Sequence, residues 1–198
     1  MKLTFTAALC AGALLTITAC NPTTDTSTAS TDMAMNDGVA TDTMGAGGTA
    51  ATSTMMTDDE FMKMVATGGH NEMGLSQVAL DKGATGATKD FANMMITDHT
   101  KAGNELKSIA DSKSVLLPAD MDAEHKALQE QMQNLSGEQL AQKYAQQMVT
   151  DHQNTVDMFQ SEIQNGQDAA VKAFASKTLP TIQEHLSMAK KLPGAMTM

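Results

Sequence analysis

From Asp58 to about Leu192 the apolar positions of the chain return every three or four residues, the period of an amphipathic helix. Runs of alternating β-branched residues are absent, and Ala, Gln, Lys, Met and Leu dominate, so the segment reads as helical throughout. The first helix opens at a capping box, Thr57-Asp58-Asp59-Glu60, and ends near Gly83, with Phe61, Val65, Gly68, Glu72, Leu75 and Ala79 along one stripe. A second runs from about Gly86 to Ser112 and aligns Phe91, Met95, His99, Ala102, Leu106 and Ile109. A connection containing Leu116, Leu117 and Pro118 leads to a short helix from roughly Asp122 to Leu135. The third long helix follows a cap at Ser136, carries Leu140, Tyr144, Met148, His152, Thr155, Phe159 and Ile163, and stops at Asn165-Gly166. The fourth starts from an Asp168 cap and aligns Val171, Ala175, Thr178, Ile182, His185, Ala189 and Leu192. Pro180 lies inside it and is expected to kink or split it.

Two tight helical hairpins joined by a longer crossover define an all-α fold, a four-helix bundle of ferritin-like connection with a short crossover helix. It spans residues 58–193 and leaves a tail at 194–198. Its size of about 140 residues suits one domain with one core.

Four polar side chains interrupt the four stripes, one per long helix: Glu72, His99, His152 and His185. Two of them belong to an internal echo, because MMITDHTKAGNEL around His99 returns as QMVTDHQNTVDMF around His152, 53 positions later (152 − 99). Counted from the hairpin turns, Glu72 and His99 lie about 18 and 21 Å along their helices, and His152 lies at a matching depth. His185 falls about one turn further, so the four converge near mid-bundle. Buried without partners they would be costly, and one carboxylate with imidazoles from separate helices is a plausible set of ligands for Fe, Mn, Zn or Cu. Asp98, Asp151 and Glu184 each precede a histidine by one residue, which turns them about 100° off the stripe to orient an imidazole or lend an oxygen. Met95 and Met148 stand one turn before the histidines and leave a mixed His/Met site open. The alternative is a structural polar layer, in which the Asp-His pairs fix helix register. His125, on the short helix, reads as a solvated surface residue, and His70 faces away from Glu72 by about 200°.

The chain ends change where this domain works. Residues 1–19 hold one charge, Lys2, an apolar stretch, and Ile17-Thr18-Ala19-Cys20, which matches a bacterial lipoprotein cleavage box. The expectation is a mature protein tethered to a membrane through lipidated Cys20. Asn21 in the next position favours the outer membrane, with the domain facing the periplasm. Residues 20–57 form a Thr/Ser/Met-rich disordered tether with an r.m.s. span of roughly 30–35 Å. Cys10 leaves with the leader and Cys20 carries lipid, so no intramolecular disulfide is available. The formal net charge is −10 and every basic residue is Lys, which argues against nucleic-acid binding. Methionine is abundant at 18 residues, with Met33-Ala34-Met35 and Met62-Lys63-Met64 among the pairs. Thioethers favour Cu(I), but methionine is also an ordinary core filler.

The lipoprotein box, the Thr-rich tether, the twice-used Phe/Tyr-Ala-x-x-Met-(Ile/Val)-Thr-Asp-His and the closing Leu179-Pro180-x-Ile182-x-x-His185-Leu186 together are distinctive. In these motifs, over about Asp58 to Leu192, the chain resembles the exported bacterial domain-of-unknown-function 4142 family. That resemblance implies a ferritin-like bundle and brings no established reaction. Di-iron ferritins use Glu-x-x-His on two helices and a further Glu on each of the others. Here the residues three before the histidines are Ile96, Val149 and Ile182, so ferroxidase chemistry is not implied. The expected function is transition-metal handling or protection from oxidants by a lipid-anchored envelope protein. The alternative is a non-enzymatic envelope scaffold or partner-binding domain, and a peroxidase- or oxidase-like activity would require an open coordination position.

Overall fold

Thr57 begins the first helix: its hydroxyl accepts the Glu60 N–H at 3.2 Å, and the Glu60 carboxylate accepts the Thr57 N–H at 2.9 Å. This reciprocal pair satisfies two amides that the first turn would otherwise leave open. In the computed structural model, which describes residues 56–195, it starts helix α1 at Asp58–Asp81. Helices α2 (Gly86–Ser112), α3 (Ala123–Gln133), α4 (Gly137–Asn165) and α5 (Ala169–Ala189) follow. The leader, Cys20 and the tether as far as residue 55 lie outside the described residues, as do residues 196–198. No helix among the described residues is long and apolar enough to cross a membrane.

The α1–α2 turn is made by Gly83 at φ +82°, a left-handed conformation that glycine adopts without strain. Each hairpin is antiparallel, and contacts between the hairpins set the rest. Phe61 meets Phe159 (centroids 4.9 Å apart) and Ser76 meets Tyr144 (2.7 Å), so α1 and α4 also run antiparallel. Asp98 pairs with His185 and Glu105 with Lys177, so α2 and α5 do the same. The four long helices therefore form a ring α1–α2–α5–α4, with α1 diagonal to α5 and α2 diagonal to α4. Because α2 and α4 are parallel, the chain between them must travel the length of the bundle. Helix α3 sits in that crossover and packs on α1 and α4.

Two sequence expectations are met only in part. Of the kink or split expected at Pro180, the split does not occur, and the helix continues to Ala189. Both Pro180 and Ser176, whose carbonyl loses its helical donor, are exposed, so water can take that place. Ser136 occupies the cap position of α4 but its hydroxyl accepts no capping hydrogen bond, whereas Asp168 does cap α5 through the N–H groups of Ala170 and Val171.

The core is layered. Phe61, Phe159 and Phe174 cluster on one side of mid-bundle, and Phe91 packs edge-on against Tyr144 on the other. Both layers are fully or almost fully buried. The inward polar residues lie between them.

Candidate metal centre

Each polar residue of the middle layer is carried by a different helix, at the position its apolar stripe assigns. The structure brings Glu72 (α1), His99 (α2), His152 (α4) and His185 (α5) together. Ring centroids are 6.2 Å apart for His99 and His152, 5.7 Å for His99 and His185, and 5.5 Å for His152 and His185. Each ring can present one nitrogen such that the three nitrogens lie within 4.8 Å of one another. Phe91 supports the layer from one side, its ring edge-on to His152 and His185 at 6.3 and 6.4 Å.

The hydrogen bonds fix which nitrogens face inward. His152 Nδ1–H donates to the Met148 carbonyl at 2.8 Å, an acceptor that admits only one tautomer of the neutral ring. His185 Nε2–H donates to the Asp98 carboxylate at 3.0 Å. The opposite nitrogens, His152 Nε2 and His185 Nδ1, are buried and have no hydrogen-bond partner. His99 Nε2 differs from these two: it lies 2.8 Å from Glu72 Oε2 and so faces a carboxylate. Unpartnered buried polar atoms are rare because each loses its hydration without replacement. Two in one layer, each with the opposite ring nitrogen already donating to a carbonyl or carboxylate, match the way metal-binding imidazoles are held.

The carboxylate joins the histidines from one side of the layer. Glu72 is not among the three converging donors; it stands against His99 Nε2 and, at 3.2 Å, the Nδ1 side of His152. The ring topology explains this, since α1 neighbours α2 and α4 but lies diagonal to α5 and His185. Burial works against the Glu72 charge, but His152 and His99 outweigh it and hold the carboxyl at about 2. Burial also opposes a charged His99, yet Glu72 raises its pKa above the usual histidine value. His185 is lowered, chiefly by burial, with Asp98 opposing. A buried anion thus stands beside the imidazole cluster and favours positive charge there.

The residues preceding the histidines divide three ways. Asp98 reaches across to His185 on the neighbouring helix. Asp151 turns away from the layer and instead accepts from Gln147 Nε2 at 2.8 Å and faces His125 Nε2 at 3.4 Å. Glu184 is exposed and has no side-chain hydrogen bond or ion pair among the described residues, because its position on α5 meets no neighbouring helix. Met95 and Met148 are fully buried in the core, and Met148 meets His152 through its backbone carbonyl.

His125 is the clearest correction: it is not a solvated surface residue. Its side chain is 13% exposed, with Nδ1 at 3.0 Å from both Asp122 oxygens and Nε2 facing Asp151. Burial of the ring is outweighed by Asp122 and Asp151, which raise its pKa. Asn71, also buried, donates to Asp122 at 2.7 Å and accepts the Asp122 N–H at 3.1 Å. The docking of α3 over α1 and α4 creates this clamp, and only the Asp122-x-x-His125 spacing could have hinted at it. His70 stays outside the histidine layer and lines a cleft between α1, α2 and the crossover.

No curated protein matches the chain. Among solved structures, it is similar to a DUF305 fragment from Deinococcus radiodurans, at 13% identity and a TM-score of 0.61, over 68% of this chain and 93% of that one. It is also similar to "CopM in the Cu(I)-bound form", at 16% identity and a TM-score of 0.57, over 68% of this chain and 94% of that one. At these identities the likeness is one of fold. The sequence signature of one family covers residues 43–192, three-quarters of the chain and all three layer histidines. The chain thus belongs to the family described as a domain of unknown function, DUF4142.

Proposed function

We propose that this is a lipid-anchored envelope protein whose four-helix domain holds one transition-metal ion through His99, His152 and His185, in the service of metal handling or protection from oxidants. One observation carries the reading: three imidazoles converge with one nitrogen each within 4.8 Å, and on His152 and His185 a buried nitrogen has no partner while the opposite one is already bonded. Metal–nitrogen bonds of about 2.0–2.1 Å place the nitrogens of such a set about 3.3–3.5 Å apart, so the three, now within 4.8 Å, would close by at most about 1.5 Å. An imidazole-rich set suits Zn or Cu better than Mn, and the similarity to a Cu(I)-bound fold keeps copper first among them. Glu72 would balance the charge of the ion and hold the His152 ring. Lipidation at Cys20 and a periplasmic position rest on the leader and the tether composition.

The test is metal-dependent stability of the full chain, offered Fe, Mn, Zn and Cu separately. An ion that binds only the folded state adds about 2.7 kcal/mol at a hundredfold excess over Kd. The expected result is such a shift for one or two of the metals, abolished by His152→Leu. A chain whose unfolding midpoint ignores all four metals would sink the proposal.

The alternative is a scaffold whose layer is structural, and one observation favours it: Glu72 sits against two imidazoles, at 2.8 and 3.2 Å, so the layer partly satisfies itself. That reading predicts that Glu72→Gln changes stability or oligomeric state identically with and without metal.

A further inference from the structure

Two consecutive glycines in the middle of a long helix are costly, roughly 1 kcal/mol each relative to alanine. Gly68 and Gly69 occupy such positions in α1, one turn before Glu72. The space they leave is specific. A Cβ at Gly68 would meet nothing within 4 Å, and one at Gly69 would lie 3.7 Å from His99 Nδ1. Helix α1 therefore has a gap in its side-chain cover directly over the histidine layer.

Two cavities meet at that gap. The outer is a cleft of ≈ 400 Å³ between α1, α3 and α4; the inner is a cavity of ≈ 40 Å³ that reaches His99. They share five lining residues: Met64, Gly68, Glu72, Thr155 and Met158. The outer cleft carries Asp122 and Asp151 on its wall, with Lys63 the one Lys among its lining residues. The inner cavity accommodates an ion or a water or two and excludes larger ligands. Its histidine is also the accessible one, since the His99 side chain is 15% exposed against 1% for His152 and 3% for His185.

We infer that this passage is the route by which metal reaches the layer, and that Met64 and Met158, which line both cavities, act as transient thioether ligands that favour Cu(I). The inference rests on the metal site proposed above and adds its route and its selectivity. The outer-wall carboxylates Asp122 and Asp151 are paired with His125, so selectivity falls to the thioethers, whose sulfur bonds preferentially to soft Cu(I) and leaves Zn(II) poorly served. Glu72 lines both cavities and touches His99 and His152, so an ion passes from sulfur to carboxylate to imidazole without losing a ligand shell all at once. A second cleft of ≈ 400 Å³ reaches His99 from the other side of α1, past His70 and Met73, but Gly68, Met64 and Met158 do not line it.

The experiment follows uptake of Cu(I), presented as its bicinchoninate complex, and of Zn(II) by the full chain in a stopped-flow instrument, with equilibrium affinity measured in parallel. Gly68→Leu adds a side chain into open space, so it should fold and plug the passage, slowing both metals tenfold or more with affinities within twofold. The double variant Met64→Leu/Met158→Leu keeps the volume and removes both sulfurs; it should slow Cu(I) alone. Carbethoxylation of His99 by diethylpyrocarbonate, which involves no metal, should slow in Gly68→Leu as well. Wild-type rates for both metals in Gly68→Leu would overturn the inference and redirect attention to the His70 cleft, even though the metal site stood. Equal slowing of Cu(I) and Zn(II) in the methionine variant would remove the selectivity claim. A wild-type chain that takes up neither metal would overturn the site and the route together.

Discussion

Adjacent residues of one helix, Asp151 and His152, belong to two histidine clusters with opposite logic. Around His125 both ring nitrogens face carboxylates, Asp122 on one side and Asp151 on the other, and the group is complete. Around His152 one nitrogen is committed to a carbonyl and the other has nothing, as is also true of His185. The first arrangement ties α3 to the bundle; the second leaves a place for an ion. Burial is similar in kind, so what separates a clamp from a site is the spare lone pair and its convergence with others.

The sharpest way to break this comparison is to delete the ring from each cluster. His152→Ala removes a buried ring from the core and leaves Glu72 short of a partner, and should cost on the order of 3–5 kcal/mol in denaturant unfolding. A loss below about 1 kcal/mol would mean the layer is not integrated with the core.

A buried polar group without any imidazole sets the background. Glu162, 2% exposed at the end of α4, is raised from its ordinary 4.5 to about 7 by burial and by the neighbouring Asp58. The folded state therefore binds its proton more tightly than the unfolded state does. Its contribution to stability is complete below pH 4.5 and is lost as pH rises through 7, a change on the order of 3 kcal/mol. Glu162→Gln should flatten the stability profile between those limits; an unchanged profile would assign the pH response elsewhere.

Smaller effects separate support from clamp. Asp98→Asn weakens the hold on His185 and should reduce metal affinity by about 10- to 100-fold, while Asp151→Asn should leave it unchanged. Equal effects from the two would erase the distinction. His125→Phe keeps the ring volume, breaks the clamp, and should cost about 1–2 kcal/mol with metal binding intact.

How far the sequence revealed this follows the same division. The four stripes, their ends and the crossover were legible because helical periodicity and caps such as Thr57 and Asp168 act locally. The convergence of Glu72 with three histidines was legible because depth along a helix is a count of residues. Pairings between helices were not: which carboxylate meets which ring depends on the ring order α1–α2–α5–α4, and no local signal states it. Asp98 and Asp151 hold matching places in the repeated motif yet serve different histidines, because α2 faces α5 while α4 also faces α3. The clamp at His125 was invisible for the same reason, since a short helix with a weak stripe does not announce what it covers. Gly68 was placed on the apolar stripe of α1, but only the packed neighbours reveal that it opens a gap instead of filling the core.

The most direct test of the account measures metal bound per chain after dialysis, by inductively coupled plasma mass spectrometry, in wild type, His152→Leu and His125→Phe side by side. The account predicts close to one ion in the wild type and in His125→Phe and none in His152→Leu. Equal metal in all three, or none in the wild type, would contradict it.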